Sequence, residues 1–255
     1  MTAPDSDWLV HSGGPPDAPA RFLCLPYAGG TAAAYRQWSE LASRLNVLLS
    51  AIELPGHGRR VGERPEINIS QVAQALGAVL DRPYILFGHS LGARLGFEIC
   101  RYLRDSGHPQ PLRLIVSGTP GPRLRRIGVG DSLLPDSEFI ARVRGMGGTP
   151  AAILADQELA ELFIPTLRSD FAWGDAYKYQ SAPLLTCPIS AFAGTADPEA
   201  PPDQVATWRD ETTGSFRLHV VEGDHFFLHS GAATVFGHIC ADLPGLVMAE
   251  GRGRG

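Results

Sequence analysis

Tyr84-Ile85-Leu86-Phe87-Gly88-His89-Ser90-Leu91-Gly92-Ala93 places a four-residue apolar run directly before a G-x-S-x-G pentapeptide. Beyond it, Leu91, Leu95, Ile99 and Leu103 recur at helical spacing and share one face of a helix over Leu91 to Arg104. A strand that turns sharply into a helix at a serine is the setting in which this pentapeptide presents a nucleophile. The glycines have a physical reason: side chains at 88 and 92 would obstruct the close approach of strand and helix, and the serine sits on a strained turn. The spacing therefore predicts that Ser90 projects its hydroxyl at the carboxyl edge of a sheet. Backbone N–H groups of the helix start, that of Leu91 first, then face any oxyanion formed there.

Working outward, short runs rich in β-branched and aromatic residues recur at Arg21 to Leu25, Val47 to Glu53, Leu112 to Ser117, Ile189 to Ala193 and Phe216 to Val221. Helical spacing appears between them, in Thr31 to Leu45 and Ile69 to Leu80, and later in Pro202 to Glu211 and Thr234 to Leu243. Alternation of strand and helix implies an α/β fold with a mostly parallel sheet covered on both faces. It breaks over 119–182, where arginines, glycines and prolines precede helical patterns at Asp136 to Arg144 and Asp156 to Arg168. The expected organisation is one core formed by 1–118 and 183–249, a helical lid insertion at 119–182 and a disordered tail, EGRGRG, at 250–255.

A serine nucleophile needs a base and an acid, in the chain order serine, acid, histidine for an α/β-hydrolase fold. His225 follows the last strand candidate in Glu222-Gly223-Asp224-His225-Phe226-Phe227, where a loop at the carboxyl edge can carry imidazole over Ser90. His89 adjoins the serine and must point elsewhere; His11 and His57 precede it, and His57 in Pro55-Gly56-His57-Gly58 reads as a loop-shaping residue. Asp197, in Gly194-Thr195-Ala196-Asp197-Pro198 after the strand ending at Ala193, is the expected acid. Asp203 is held in reserve, and Asp224 is badly aimed beside His225. The second oxyanion donor is expected from Leu25-Pro26-Tyr27-Ala28-Gly29-Gly30, with Ala28 as the amide. That loop has neither G-x-G-x-x-G nor a Walker lysine, which argues against phosphate binding. His225 and His229 are four apart, but His-Phe-Phe-Leu-His lacks the glutamate of metalloprotease helices, so no metal is expected.

Composition narrows the class further. The chain has 255 residues, 44% hydrophobic and 19% charged, with net charge -5, which argues against nucleic acid as a bulk partner. No apolar run reaches the roughly 18 residues of a membrane helix, and MTAPDSDWLV does not resemble a signal peptide, so no membrane and a cytoplasmic location are expected. Cys24, Cys100, Cys187 and Cys240 are scattered singly and read as buried free thiols.

Taken together, these motifs make the chain similar to the type II thioesterases of polyketide synthase and nonribosomal peptide synthetase systems. The likeness is carried by Leu25 to Gly30, Pro55 to Arg60, Gly88 to Ala93, Arg168-Ser169-Asp170, Leu185 to Pro188, Gly194 to Pro198 and Gly223 to Leu228, over most of the chain. Pro55-Gly56-His57-Gly58 departs from it, since the family more often resembles Pro-Gly-Arg. The resemblance implies an α/β-hydrolase fold with a helical lid. It also implies a substrate on the phosphopantetheine arm of an acyl or peptidyl carrier protein, and editing of stalled acyl groups. The chemistry, attack of Ser90 with His225 and Asp197 behind it, needs no cofactor. A carboxylesterase or acyltransferase would use the same triad, and a non-catalytic binding protein could keep the scaffold. Arg123, Arg125, Arg126, Arg142 and Arg144 in the insertion offer charge to an acidic carrier domain.

Overall fold

The computed structural model describes residues 7–124, 130–149 and 156–246. Seven strands form one sheet: β1 (Leu9–Gly13), β2 (Ala20–Leu25), β3 (Val47–Ile52), β4 (Tyr84–His89), β5 (Arg113–Ser117), β6 (Ile189–Gly194) and β7 (Phe216–Val221). Their spatial order is β1-β3-β2-β4-β5-β6-β7. All neighbours run parallel except β1, which pairs antiparallel with β3 from Leu9 opposite Ile52. The expected strands are present to within a residue or two at each end, and β1 is an addition. This is an α/β-hydrolase sheet, in which the serine-bearing β4 lies at the centre.

Strand β4 explains why its sequence is apolar throughout rather than alternating. Tyr84 and Leu86 enter an apolar cluster on one face of the sheet, Ile85 and Phe87 one on the other, as a strand covered on both faces requires. The first face is covered by α2 (Ile69–Gly77) and α3 (Leu91–Asp105), the second by α1 (Ser39–Leu45) and a C-terminal helix (Ala232–Asp242). Local signals set the ends: Asn68 caps α2 by accepting the Gln71 N–H at 3.2 Å, and Asn46 closes α1 in the left-handed region. The segment expected as one helix over Thr31 to Leu45 is a 3₁₀ stretch (Ala32–Trp38) running into α1, and Pro202 to Glu211 is a single α-turn continued as 3₁₀.

Between β5 and β6 the chain leaves the sheet to build α4 (Asp136–Met146) and α5 (Gln157–Ala176), the latter capped by Asp156. Their facing residues Phe139, Val143, Leu167 and Phe171 form a separate small apolar cluster against Ala28. Leu133, Leu159 and Leu162 remain exposed instead. Arg125, Arg126, Ala152 and the 250–255 tail lie outside the described residues.

Candidate active site

Ser90 stands between β4 and α3 at φ +53°, ψ -116°, one of two non-glycine residues with positive φ among those described. Such a backbone costs about 1–3 kcal/mol and persists only where the surroundings over-determine it. Here they do: the Ser90 N–H donates to the Ser117 carbonyl at 2.7 Å, and the Ala93 N–H to the Ser90 carbonyl at 3.1 Å. A Cβ at Gly88 would come within 2.2 Å of the Gly92 carbonyl oxygen, and one at Gly92 within 2.2 Å of the Leu25 carbonyl oxygen. Neither glycine tolerates a side chain, for the steric reason the motif suggests.

His225 follows β7 and Asp197 follows β6, so neighbouring strand ends deliver both. His225 Nδ1 lies 2.8 Å from Asp197 Oδ2, and both side chains are buried. The other carboxylate oxygen, Oδ1, accepts the Glu199 N–H at 2.9 Å, so Asp197 is held from two sides. With Nδ1 donating to the carboxylate, Nε2 is left as the basic nitrogen. Asp203 sits exposed in the Pro202–Val205 turn, and Asp224 Oδ1 accepts the Phe226 N–H. His89 is fully buried with Nδ1 2.9 Å from Ser117 Oγ, its ring 5.0 Å from that of His225. Burial first, and the neighbouring His225 and His229, hold its pKa well below the ordinary histidine value. It therefore stays neutral and does not oppose a positive charge on His225. His229 Nδ1 lies 3.1 Å from Gln37 Nε2, and its Nε2 lies 3.5 Å from the Tyr27 hydroxyl.

Ser90, His225, Ala28 and Leu91 line one cavity of about 790 Å³, its open mouth included. Val143 and Met146 of α4 and Leu167 and Phe171 of α5 form apolar wall opposite the sheet edge. Among the described residues, neither the Ala28 nor the Leu91 N–H has a protein acceptor. Leu91 N–H is free for the general reason that the first turn of a helix has no intrahelical acceptor.

Two features of the site were not foreseen. Glu199 reaches the cavity wall in an ion pair with Arg142 at 2.6 Å, and Arg142 also holds Asp131 at 3.0 Å. Arg123 likewise pairs with buried Glu211 at 2.6 Å. These two arginines are thus engaged inside the chain. The second feature is a buried pair between His57 Nε2 and Asp170 Oδ2 at 2.9 Å. Burial lowers the His57 pKa, but the hydrogen bond and charge of Asp170 outweigh it and the net shift is upward. The stabilisation is then complete below the unfolded value near pH 6.5 and fades as pH rises through the higher folded value. Denaturant unfolding is expected to show a stability gap between wild type and His57→Gln that is wide at pH 6 and narrower at pH 9; a gap that widens would reverse the assignment.

The family model of the thioesterase domain matches residues 20–243. The chain belongs to the thioesterase family. This thioesterase is 33% identical over 240 residues to the gramicidin S biosynthesis protein GrsT of Aneurinibacillus migulanus, covering 92% of this chain and 93% of that one. It is 34% identical over 244 residues to the thioesterase PikA5 of Streptomyces venezuelae, covering 92% and 84%. Among solved structures it resembles YbtT, the type II thioesterase of the yersiniabactin NRPS/PKS pathway, with TM-score 0.84 and 32% identity over 94% of this chain and 100% of that one. The enzyme is accordingly a hydrolase of thioesters. No helix of the described thioesterase is long and apolar enough to cross a membrane.

Proposed function

We propose that this thioesterase removes acyl groups from the phosphopantetheine arm of acyl or peptidyl carrier domains in polyketide or nonribosomal peptide assembly, in the cytoplasm. Ser90 is the nucleophile, His225 the base, Asp197 the orienting acid, and the N–H groups of Ala28 and Leu91 the oxyanion donors. The observation that carries this reading is that Ser90, on its strained turn, faces the same cavity as His225, whose other nitrogen is fixed by Asp197 at 2.8 Å. The kinship with proteins of gramicidin S and yersiniabactin biosynthesis supports the carrier-bound substrate.

The reaction runs in two halves. Ser90 Oγ attacks the thioester carbonyl as its proton passes to His225 Nε2, and the carbonyl oxygen becomes an oxyanion between the two amides. The carbon–sulfur bond breaks, and the pantetheine sulfur leaves with the proton from His225. A water then gives a proton to His225 and attacks the acyl-serine; collapse frees the carboxylic acid and restores Ser90. Val143, Met146, Leu167 and Phe171, in the segment read as a lid insertion, supply the apolar wall that the acyl chain lies against.

Comparing kcat/KM for a carrier-bound acyl thioester, the same acyl pantetheine thioester and the matched oxygen ester tests the substrate class. The carrier-bound thioester is expected to react fastest; a preference for the oxygen ester would make the protein an esterase. The wall makes its own prediction. Val143 lies on α4 facing the cavity, so Val143→Phe is expected to shift preference toward shorter acyl chains. Each methylene excluded is worth about 0.8 kcal/mol, or about fourfold in kcat/KM. An unchanged chain-length profile on pantetheine thioesters would place the acyl chain elsewhere.

A further inference from the structure

The loop that carries Ala28 is held from outside the core. Gly29, beside it, has φ +69° and lies under α5, where a Cβ would come within 2.7 Å of Phe163 and 2.8 Å of Leu167. Its N–H donates to Asp170 Oδ2 at 2.7 Å, and the Gly30 N–H turns back to the Tyr27 carbonyl at 2.8 Å. With the Gly29 and Gly30 amides so engaged, the Ala28 N–H, which has no protein acceptor among the described residues, is available to the cavity that Ala28 lines.

Asp170 is in turn clamped. The same Oδ2 faces His57 Nε2 at 2.9 Å, while His57 Nδ1 donates to the Pro55 carbonyl at 3.0 Å. A carbonyl oxygen only accepts, so Nδ1 carries a proton, and the upward shift of the His57 pKa beside Asp170 favours a second proton on Nε2. Asp170 is 1% and His57 3% exposed, so removing either strands the other in the interior. The same stretch of α5 is bolted to the His57 loop twice more: Thr166 Oγ1 donates to the Gly56 carbonyl at 3.3 Å and Ser169 Oγ to the Pro65 carbonyl at 2.8 Å.

We propose that Asp170, clamped by His57, is a positioning residue for thioester hydrolysis: it fixes the Gly29 peptide and so aims the Ala28 N–H at the developing oxyanion. The proposal rests on the reading of Ala28 as an oxyanion donor. It makes the C-terminal half of α5 part of the catalytic frame rather than a movable cover, because displacing that half releases the oxyanion loop.

Backbone replacements separate the two readings. Lactic acid in place of Ala28 deletes the Ala28 N–H; glycolic acid in place of Gly29 deletes the N–H given to Asp170 and touches no side chain. Each full-length enzyme is assayed on an acyl pantetheine thioester for kcat and KM. Each is also titrated with the trifluoromethyl ketone analogue, which forms an oxyanionic adduct with the serine, and with the plain thioether, which does not. The Ala28 replacement is expected to lower kcat by about 10²–10³-fold. The Gly29 replacement and Asp170→Asn are expected to lower kcat and ketone affinity by about tenfold to a hundredfold, with KM and thioether affinity unchanged. Combining these two should cost little more than either alone, since both break one contact. His57→Gln, which keeps a donor for Oδ2, should retain more kcat than His57→Ala. If the Gly29 replacement is silent while the Ala28 replacement is crippling, the role of Asp170 falls and the reading of Ala28 stands. If the Ala28 replacement is silent as well, both fall.

Discussion

Ser90→Ala is expected to lower turnover of a carrier-bound acyl thioester by about a millionfold, the scale on which serine-triad enzymes lose activity when the nucleophile goes. The substitution removes the covalent route altogether, leaving only binding and the oxyanion amides to assist water. Stability should barely change. The backbone at position 90 is fixed by the bonds to Ser117 and Ala93 and by the glycines at 88 and 92. Losing one hydroxyl opens no large void, so the unfolding free energy should stay within about 1 kcal/mol of wild type. Residual kcat above a thousandth of wild type, in a folded protein, would mean that another group performs the attack.

Asp197→Asn should cost about 10⁴-fold in kcat, less than loss of the nucleophile. The carboxylate at 2.8 Å requires a proton on His225 Nδ1 and so keeps Nε2 free to take the serine proton. An asparagine can present its amide N–H₂ to Nδ1 instead, which favours the tautomer protonated at Nε2 and removes the base without moving the ring. Asp203→Asn is the matched control, since Asp203 is exposed in a separate turn. A silent Asp197→Asn beside a crippled Asp203→Asn would transfer the acid to position 203.

Much of this was legible in the sequence because it is local. The strained turn at Ser90 is written within ten residues, since the glycines, the apolar strand and the amphipathic helix must adjoin the serine to hold it there. His225 and Asp197 could be chosen because each follows a strand, and parallel strands deliver their carboxyl ends to one edge of the sheet. Strand β1 escaped for the opposite reason: Leu9-Val10-His11-Ser12-Gly13 is a short edge strand with only Leu9 buried, so it shows little apolar pattern. The His57–Asp170 pair escaped because its partners are 113 residues apart and meet only when α5 lies across the sheet edge. In the sequence, Arg168-Ser169-Asp170 stands out only by its resemblance to the family. Arg123 and Arg142 read as docking charges because an arginine run carries no sign of the carboxylates that fold back onto it; Glu211 and Glu199 lie 88 and 57 residues further on.

The acyl-enzyme is the point on which the account turns. The enzyme is mixed with an acyl pantetheine thioester and quenched in acid within the first turnover, then weighed intact and after digestion. The predicted result is a mass increase equal to the acyl group, confined to the peptide containing Ser90, formed by wild type and absent from Ser90→Ala. Acylation of another residue, or full turnover by Ser90→Ala with no acylated protein at any time, would contradict it.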